Sequence, residues 1–267
     1  MNWHRIYAVG KKDITGAWKQ KGVKITVILA LIILCIGIPA FAIIAAHAPA
    51  QAATSGNSFM TTLPSEAFPK NLAPQYYMAY LISLYVMTPV VLILVSYLVA
   101  LIGAPSFVGE RVSLTAEGLL YTPITTNELI TAKCLACLLP TLILSWGTMI
   151  IQAIIMDCFS IPFMHIVLFP NFISWITGIF LVPLTALLVL GVDMLVSQHV
   201  KTEKAARAVG GLVIIPVYIL MMTQYEAVVL SNKLILIIIL VVIAIIDFIL
   251  FIFVFKDFDK TSFLFKN

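Results

Sequence analysis

The chain has 267 residues, of which 62% are hydrophobic and only 10% are charged. Soluble globular domains have about 45–50% apolar and about 25% charged residues, so this composition excludes an ordinary soluble domain and predicts an integral membrane protein. The formal net charge of +4 is not concentrated in a run of basic residues interleaved with aromatic ones, and nucleic acid is therefore not predicted as a partner.

Residues 1–24 form a basic segment with the pattern of an amphipathic helix. Its cations are Arg5, Lys11, Lys12, Lys19, Lys21 and Lys24. The apolar residues that share one helical face are Trp3, Ile6, Tyr7, Ile14 and Trp18. Such a helix lies in the headgroup layer with its cations toward anionic lipid, so we predict an interfacial helix that contacts membrane lipid. The alternative is a plain solvated N-terminus.

Six apolar segments follow, and each is predicted to be a transmembrane helix. They are residues 25–46, 75–102, 134–156, 171–193, 208–223 and 233–255. The first has an apolar run longer than the ~7–15 residues usual in a signal peptide, so we predict that it stays uncleaved. The predicted fold is all-α, a polytopic six-helix transmembrane domain over 25–255 with a tail at 256–267.

The cations predict the orientation of these helices. Of the 16 Lys and Arg residues, all but Lys70 and Lys233 fall in residues 1–24, in the predicted inner loops or in the tail. Cytoplasmic segments carry an excess of Lys and Arg, so we expect both termini and the loop at 103–133 to be cytoplasmic. The predicted location is the cell membrane.

Motifs for chemistry in this chain itself are missing from the sequence. It has no P-loop motif G-x-x-x-x-G-K-S/T, no G-x-S-x-G and no H-E-x-x-H, so no enzymatic activity is predicted. Its four His residues lie far apart, and no metal or other cofactor is predicted. Cys134 and Cys137 form a C-x-x-C without a second Cys or His pair, which indicates small buried thiols.

The loop at 103–133 is unusually polar for a connection between two membrane helices. Pro123 disfavours helix at Thr122, so the chain should break there. Thr125 and Glu128 have the spacing of a capping box, which predicts that a new helix begins here and runs into the third span, passing Lys133 at the inner headgroup level.

The first half of the loop, from Phe107 to Leu120, is predicted to be a helix with exposed charges and an apolar end. Exposed Leu119, Leu120 and Tyr121 between charges suit docking into a groove of another protein better than solvation.

The loop also resembles the signature of permeases of the type-2 ABC exporter family. The resemblance is carried by Glu110-Arg111, Thr115-x-Glu117-x-Leu119-Leu120-x-x-Pro123-Ile124, Glu128 and Lys133. The basic N-terminal helix, the six spans and the position of this loop match the family's layout. One departure is Ser113-Leu114, where the family often has a Gly before the Thr.

This resemblance implies a mechanism. The loop would carry a coupling helix that sits in a groove of a separate ABC ATPase, a P-loop protein that binds ATP and Mg. The implied interface residues are Glu110, Arg111, Glu117, Leu119, Leu120 and Pro123. A second permease subunit, identical or related, would complete the pathway. The alternative is that Glu110 and Arg111 pair only with lipid headgroups or with each other.

Two carboxylates lie in predicted membrane helices. Asp247 is in the middle of the sixth span, where a charge costs ~2.5–3.5 kcal/mol, so it should face protein or water as a pathway or packing residue. Asp193 lies near the inner end of the fourth span and is predicted to pair with Lys201, Lys204 or Arg207. Two other classes of function remain open: an ion-coupled secondary transporter or channel that uses Asp247, and a membrane anchor without transport.

Overall fold

The computed structural model describes residues 3–19, 21–46, 72–73, 76–81, 87–104, 106–107, 125–169, 175–197 and 233–257. Within these ranges the chain is almost entirely helical and contains no strand, which agrees with the predicted all-α class. The predicted fifth span at 208–223 and the tail beyond 257 lie outside the described residues.

Within the described ranges the helices follow one another with two five-residue π-helical segments in between. They are α1 (Trp3–Lys19), α2 (Lys21–Ile32), a first π segment (Ile33–Gly37), α3 (Ile38–Ala46), α4 (Tyr77–Leu81), α5 (Met87–Ala104), α6 (Thr126–Met164), a second π segment (Thr177–Leu181), α7 (Val182–Ser197) and α8 (Lys233–Asp257).

Three helices in the described ranges are long and apolar enough to cross a membrane. They are Lys21–Ile44, Asn127–Met164 and Thr177–Val196. Val90–Gly103 and Leu240–Val254 are shorter apolar helices. Large apolar side chains are exposed along the outer faces of α2, α6 and α8, as expected for a protein whose solvent is lipid.

The third predicted span differs from the helix that is observed. The prediction ended it at residue 156 with an outer loop over 157–170, whereas α6 continues to Met164. Asp157, the first residue of the predicted loop, lies inside α6 instead. In the structure its carboxylate accepts hydrogen bonds from the backbone N–H groups of Leu168 (2.9 Å) and Phe169 (3.1 Å), which lie beyond the helix end.

The length of α6 exceeds what a membrane crossing needs. Its 39 residues extend about 58 Å at 1.5 Å per residue, against a hydrocarbon core of about 30 Å. The helix ends at His165, which adopts a left-handed conformation with φ 54°. A continuous helix of this length connects the two ends of the bundle.

The main hydrophobic core lies where α5, α6 and α7 meet. Its fully buried residues include Leu92, Val95, Leu98 and Val99 of α5, Ile130 and Cys137 of α6, and Val189 and Leu190 of α7. The helix α7 also packs against α8, and α6 packs against α1. Cys134 and Cys137 are buried free thiols, as predicted.

Contacts among the described residues group at two ends of the bundle. At one end, Asp13 of α1 contacts Ser106, which follows α5, and Lys133 near the start of α6. The C-terminal part of α7 lies at this end too, because Asp193 lies against Gly103. At the other end, apolar clusters join α3, α4 and the outer part of α6, with residues 166–169 packed on them.

A proline lies two residues after the end of each of these two π segments. The N–H of Ile38 bonds to the carbonyl of Ile33, and the N–H of Val182 bonds to that of Thr177, five residues back in each case. The next residues, Pro39 and Pro183, have no N–H to continue this pattern. Each of these two helices is therefore distorted next to its proline by a π segment, a common cause of helix kinks.

An indole from α6 replaces the donor that Pro183 lacks. In the π pattern the carbonyl of Gly178 would accept from residue 183, and it instead accepts from Nε1 of Trp146 at 2.7 Å. Gly178 is buried, and a buried carbonyl without a donor costs free energy, so the bond from Trp146 stabilises the structure at this point. Trp146 thus holds the distorted start of the fourth span against α6.

We expect Trp146→Phe to lower the free energy of unfolding by about 1–3 kcal/mol, because the Gly178 carbonyl loses its donor. Denaturant unfolding in detergent micelles measures the loss. In the Trp146→Phe background, Pro183→Ala supplies a backbone N–H at position 183 and should recover part of it. Trp175→Phe, at an exposed Trp, is the matched control, and equal losses in the two single variants would contradict the prediction.

Candidate functional site

Three elements meet in a buried polar cluster at the root of the predicted coupling loop. The ammonium group of Lys133 donates to the carbonyl of Ser106 and lies 3.7 Å from Oδ2 of Asp13. The hydroxyl of Ser106 donates to the same Asp13 oxygen at 2.9 Å. This Asp13–Ser106–Lys133 cluster connects α1, the end of α5 and the start of α6.

The cluster is shielded from solvent. The side chain of Lys133 is 1% exposed and that of Asp13 is 10% exposed. The ring of Phe107 covers the ammonium group, with its centroid 5.7 Å from Nζ, a distance at which the aromatic face attracts the cation. Lys133 therefore has a carboxylate, a carbonyl and an aromatic ring around it, and its charge is balanced inside the protein.

The structure shows which way the Lys133 side chain points, which the sequence prediction of a position at the inner headgroup level left open. The side chain points into the protein. The reason is helical phase: Lys133 shares a buried face of α6 with Leu129, Ile130 and Cys137. A long alkyl chain on that face packs among apolar neighbours while its charged end reaches Asp13.

Sequence reasoning missed Asp13 altogether. Asp13 is the one carboxylate in residues 1–24, where every other charged side chain is basic, and that contrast was the available signal. It follows Ile6 and Gly10 on the stripe of α1 that faces α6, and both of these residues are buried. The predicted amphipathic helix is confirmed as a helix, and Trp3 and Tyr7 of its apolar face remain exposed.

The predicted capping box at the start of α6 is confirmed. The hydroxyl of Thr125 accepts from the N–H of Glu128 at 3.4 Å, and the Glu128 carboxylate accepts from the N–H of Thr125 at 3.2 Å. Thr125 has the extended backbone of an N-cap, with φ −76° and ψ 155°. The box fixes the residue at which the loop ends and α6 begins.

The six predicted interface residues belong to a part of the chain that the structure does not describe. They are Glu110, Arg111, Glu117, Leu119, Leu120 and Pro123. The structure does describe the residues that flank this segment, Phe107 before it and Thr125 after it, which we call its roots. The bond from Lys133 to Ser106 joins these roots, because one partner precedes residues 108–124 and the other follows them.

The two membrane carboxylates are both buried, with Asp193 4% and Asp247 5% exposed. Asp247 lies on the same stripe of α8 as the buried Ile243 and Val254, so it faces protein rather than lipid, as expected. The adjoining turn of α8 packs closely on α7, since a Cβ at Gly191 would lie 3.6 Å from that of Leu250.

Neither carboxylate has a hydrogen-bond partner among the described residues. Asp193 packs against α5, because a Cβ built on Gly103 would lie 3.0 Å from its Oδ2. The pairing predicted for Asp193, with Lys201, Lys204 or Arg207, involves residues outside those described. Within the described ranges no group of three or more His, Cys, Asp or Glu side chains could hold a metal ion.

A second polar feature is a buried stripe of hydroxyls along α6, which sequence reasoning did not identify. Thr141, Ser145 and Thr148 lie one turn apart and are buried. Each donates to a carbonyl of its own helix, at 2.7–2.8 Å. Since these hydroxyls are satisfied locally, the stripe provides small side chains for close helix packing rather than reactive groups.

Comparison with known proteins adds no relative. The sequence matches no protein-family model, and no curated protein matches it either.

Proposed function

We propose that the chain is the membrane subunit of an ATP-driven exporter, moved by a separate ABC ATPase. The observation that supports this most directly is the Asp13–Ser106–Lys133 cluster. It ties both roots of the segment at 108–124 to α1 and to the membrane helices α5 and α6. A force applied to that segment would therefore act on three elements together.

The long helix α6 gives this force a path across the membrane. It runs without interruption from Thr126 to Met164 and packs against α5 and α7. Its outer part contacts α3 and α4 through apolar clusters. Distant sites in a protein can be coupled through packed helices that switch between two discrete packing arrangements.

In this arrangement the partner subunit carries out the chemistry of ATP hydrolysis. ATP and Mg would be bound and hydrolysed in the ATPase, since this chain has no P-loop motif. Leu119 and Leu120 would insert into a groove of the ATPase, with Glu110, Arg111 and Glu117 at the polar rim and Pro123 ending the docked helix. Two copies of the chain, or one copy with a related permease, would enclose the pathway.

The arrangement of the membrane domain is part of the same proposal. Six spans would place both termini on the side of the coupling segment. Most cations of the described residues, including Lys11 and Lys12, lie at the end of the bundle that holds α1. This supports a cytoplasmic position for that end in the cell membrane.

The test is to isolate the complex from native membranes through a tag on this chain. We expect a P-loop ATPase to co-elute and the preparation to hydrolyse ATP in a vanadate-sensitive reaction. A preparation that contains the intact chain but neither an ATPase nor hydrolysis, even after chemical cross-linking, would contradict the proposal.

A second candidate function follows from the two buried carboxylates. Asp193 and Asp247 lack hydrogen-bond partners among the described residues, and such carboxylates in membrane helices often mark proton or ion pathways. An ion-coupled transporter of this kind would work without an ATPase.

Proton flux distinguishes this candidate from the exporter. We expect proteoliposomes that contain the chain alone to show no more flux than protein-free liposomes when a membrane potential is imposed, because the pathway should stay closed without its ATPase. A pH-sensitive dye inside the vesicles measures this. Flux in the wild type that Asp247→Asn abolishes would favour the ion-coupled function.

A further inference from the structure

A groove of about 320 Å³ separates part of α1 from α6. It is lined by residues of α1, among them Gly10 and Lys11, and by Ala132, Leu135, Ala136 and Leu139 of α6. All of its lining side chains except those of Lys11 and Thr15 are apolar or aromatic. The groove begins beside the buried cluster, since Ala132 directly precedes Lys133.

Small residues create the groove and large ones border it. Gly10, Ala132 and Ala136 are buried, and a Cβ at Gly10 would lie 3.5 Å from the carbonyl oxygen of Ala132. Trp3 and Tyr7 stand exposed at its border. The two helices are therefore close at the floor of the groove and separated above it by the larger side chains.

The groove is continuous with the lipid-facing surface of α6. Leu139, which lines it, is 49% exposed, and Ile143 one turn further along is 66% exposed. A long apolar chain could pass from the groove onto this surface without meeting a polar side chain. That geometry favours an acyl chain over a compact ligand.

The polar part of the groove favours an anion. Lys11 is exposed and lines the groove, whereas the hydroxyl of Thr15 donates to the carbonyls of Lys11 and Lys12. The carboxylate of Asp13, which would repel an anion, is engaged by Lys133 and Ser106. One cation thus stands beside an apolar channel.

We propose that this groove binds an anionic phospholipid of the bilayer, with its phosphate at Lys11 and an acyl chain along Leu135 and Leu139. The lipid would fill the space between α1 and α6 next to the Asp13–Ser106–Lys133 cluster and hold α1 in its position. This site does not depend on the proposed ATPase and is tested without it.

Native mass spectrometry of the purified full-length chain, titrated with phosphatidylglycerol or phosphatidylcholine, tests the site. We expect Lys11→Gln to reduce the preference for phosphatidylglycerol about fivefold, since a cation near a membrane surface contributes about that factor toward anionic lipid. Lys19→Gln removes an equivalent exposed cation of α1 that does not line the groove, and it should leave the preference unchanged.

A second pair of variants tests the apolar part of the groove. Leu139→Trp should fill it and reduce retention of both lipids severalfold, whereas Ile143→Trp adds the same bulk at an exposed position outside the groove and should not. Circular dichroism verifies that each variant folds. Equal effects of Lys11→Gln and Lys19→Gln, or of the two Trp variants, would overturn the site in favour of unspecific binding to the surface.

Discussion

Lys133→Met is expected to lower the free energy of unfolding by about 3–5 kcal/mol, because removal of one partner of a buried ion pair leaves the other charge uncompensated. In this chain the Asp13 carboxylate would keep only the hydroxyl of Ser106, and the Ser106 carbonyl would lose its donor. Denaturant unfolding in detergent micelles, followed by circular dichroism, gives the difference from the wild type.

Two further variants identify the cause of that loss. Lys24→Met removes an exposed cation of α2 and should change the stability by less than about 0.5 kcal/mol. The double variant Asp13→Asn with Lys133→Met should be more stable than Lys133→Met alone, since no buried charge remains. A loss as small in Lys133→Met as in Lys24→Met would show that the pair is not buried.

If the chain works with the proposed ATPase, Glu110→Ala combined with Leu120→Glu is expected to uncouple the two. Replacing an apolar anchor with a charge at the centre of an interface costs at least about 2 kcal/mol, which corresponds to a loss of affinity of more than tenfold. Co-elution of the ATPase with the tagged chain and stimulated ATP hydrolysis should both fall by at least this factor.

The chain offers a matched control for this double variant. Glu66→Ala with Leu63→Glu makes the same two replacements in the predicted outer loop, on the side of the membrane opposite to the proposed ATPase. Co-elution and hydrolysis should stay at the wild-type level. If the variant at positions 110 and 120 behaves like this control, the segment at 108–124 is not the docking surface.

Features that depend on neighbouring residues were predictable from the sequence. The helical class follows from apolar runs without strand periodicity, and the start of α6 follows from the capping box at Thr125 and Glu128. The inward orientation of Asp247 follows from the cost of a carboxylate in lipid. Each of these depends on chemistry within a few residues or on the solvent, so no knowledge of the fold was needed.

Features that depend on contacts between distant residues were not predictable. The sequence placed Lys133 at a membrane surface and gave no role to Asp13, and only the packing of α1 on α6 brings these two charges together in the interior. Likewise, Asp157 reads as a loop residue until its carboxylate is seen to bind the backbone of Leu168 and Phe169.

The sequence by itself determined that this protein is built of apolar helices, where α6 begins and which charges stand in the loop before it. Only the tertiary structure decided that a bond from Lys133 to Ser106 joins the roots of that loop beside a buried ion pair with Asp13, and that Trp146 completes the helix interrupted at Pro183. The physical reason is that composition and local hydrogen bonding act along the chain, whereas burial of a charge or an orphaned carbonyl is stabilised by a partner from another helix.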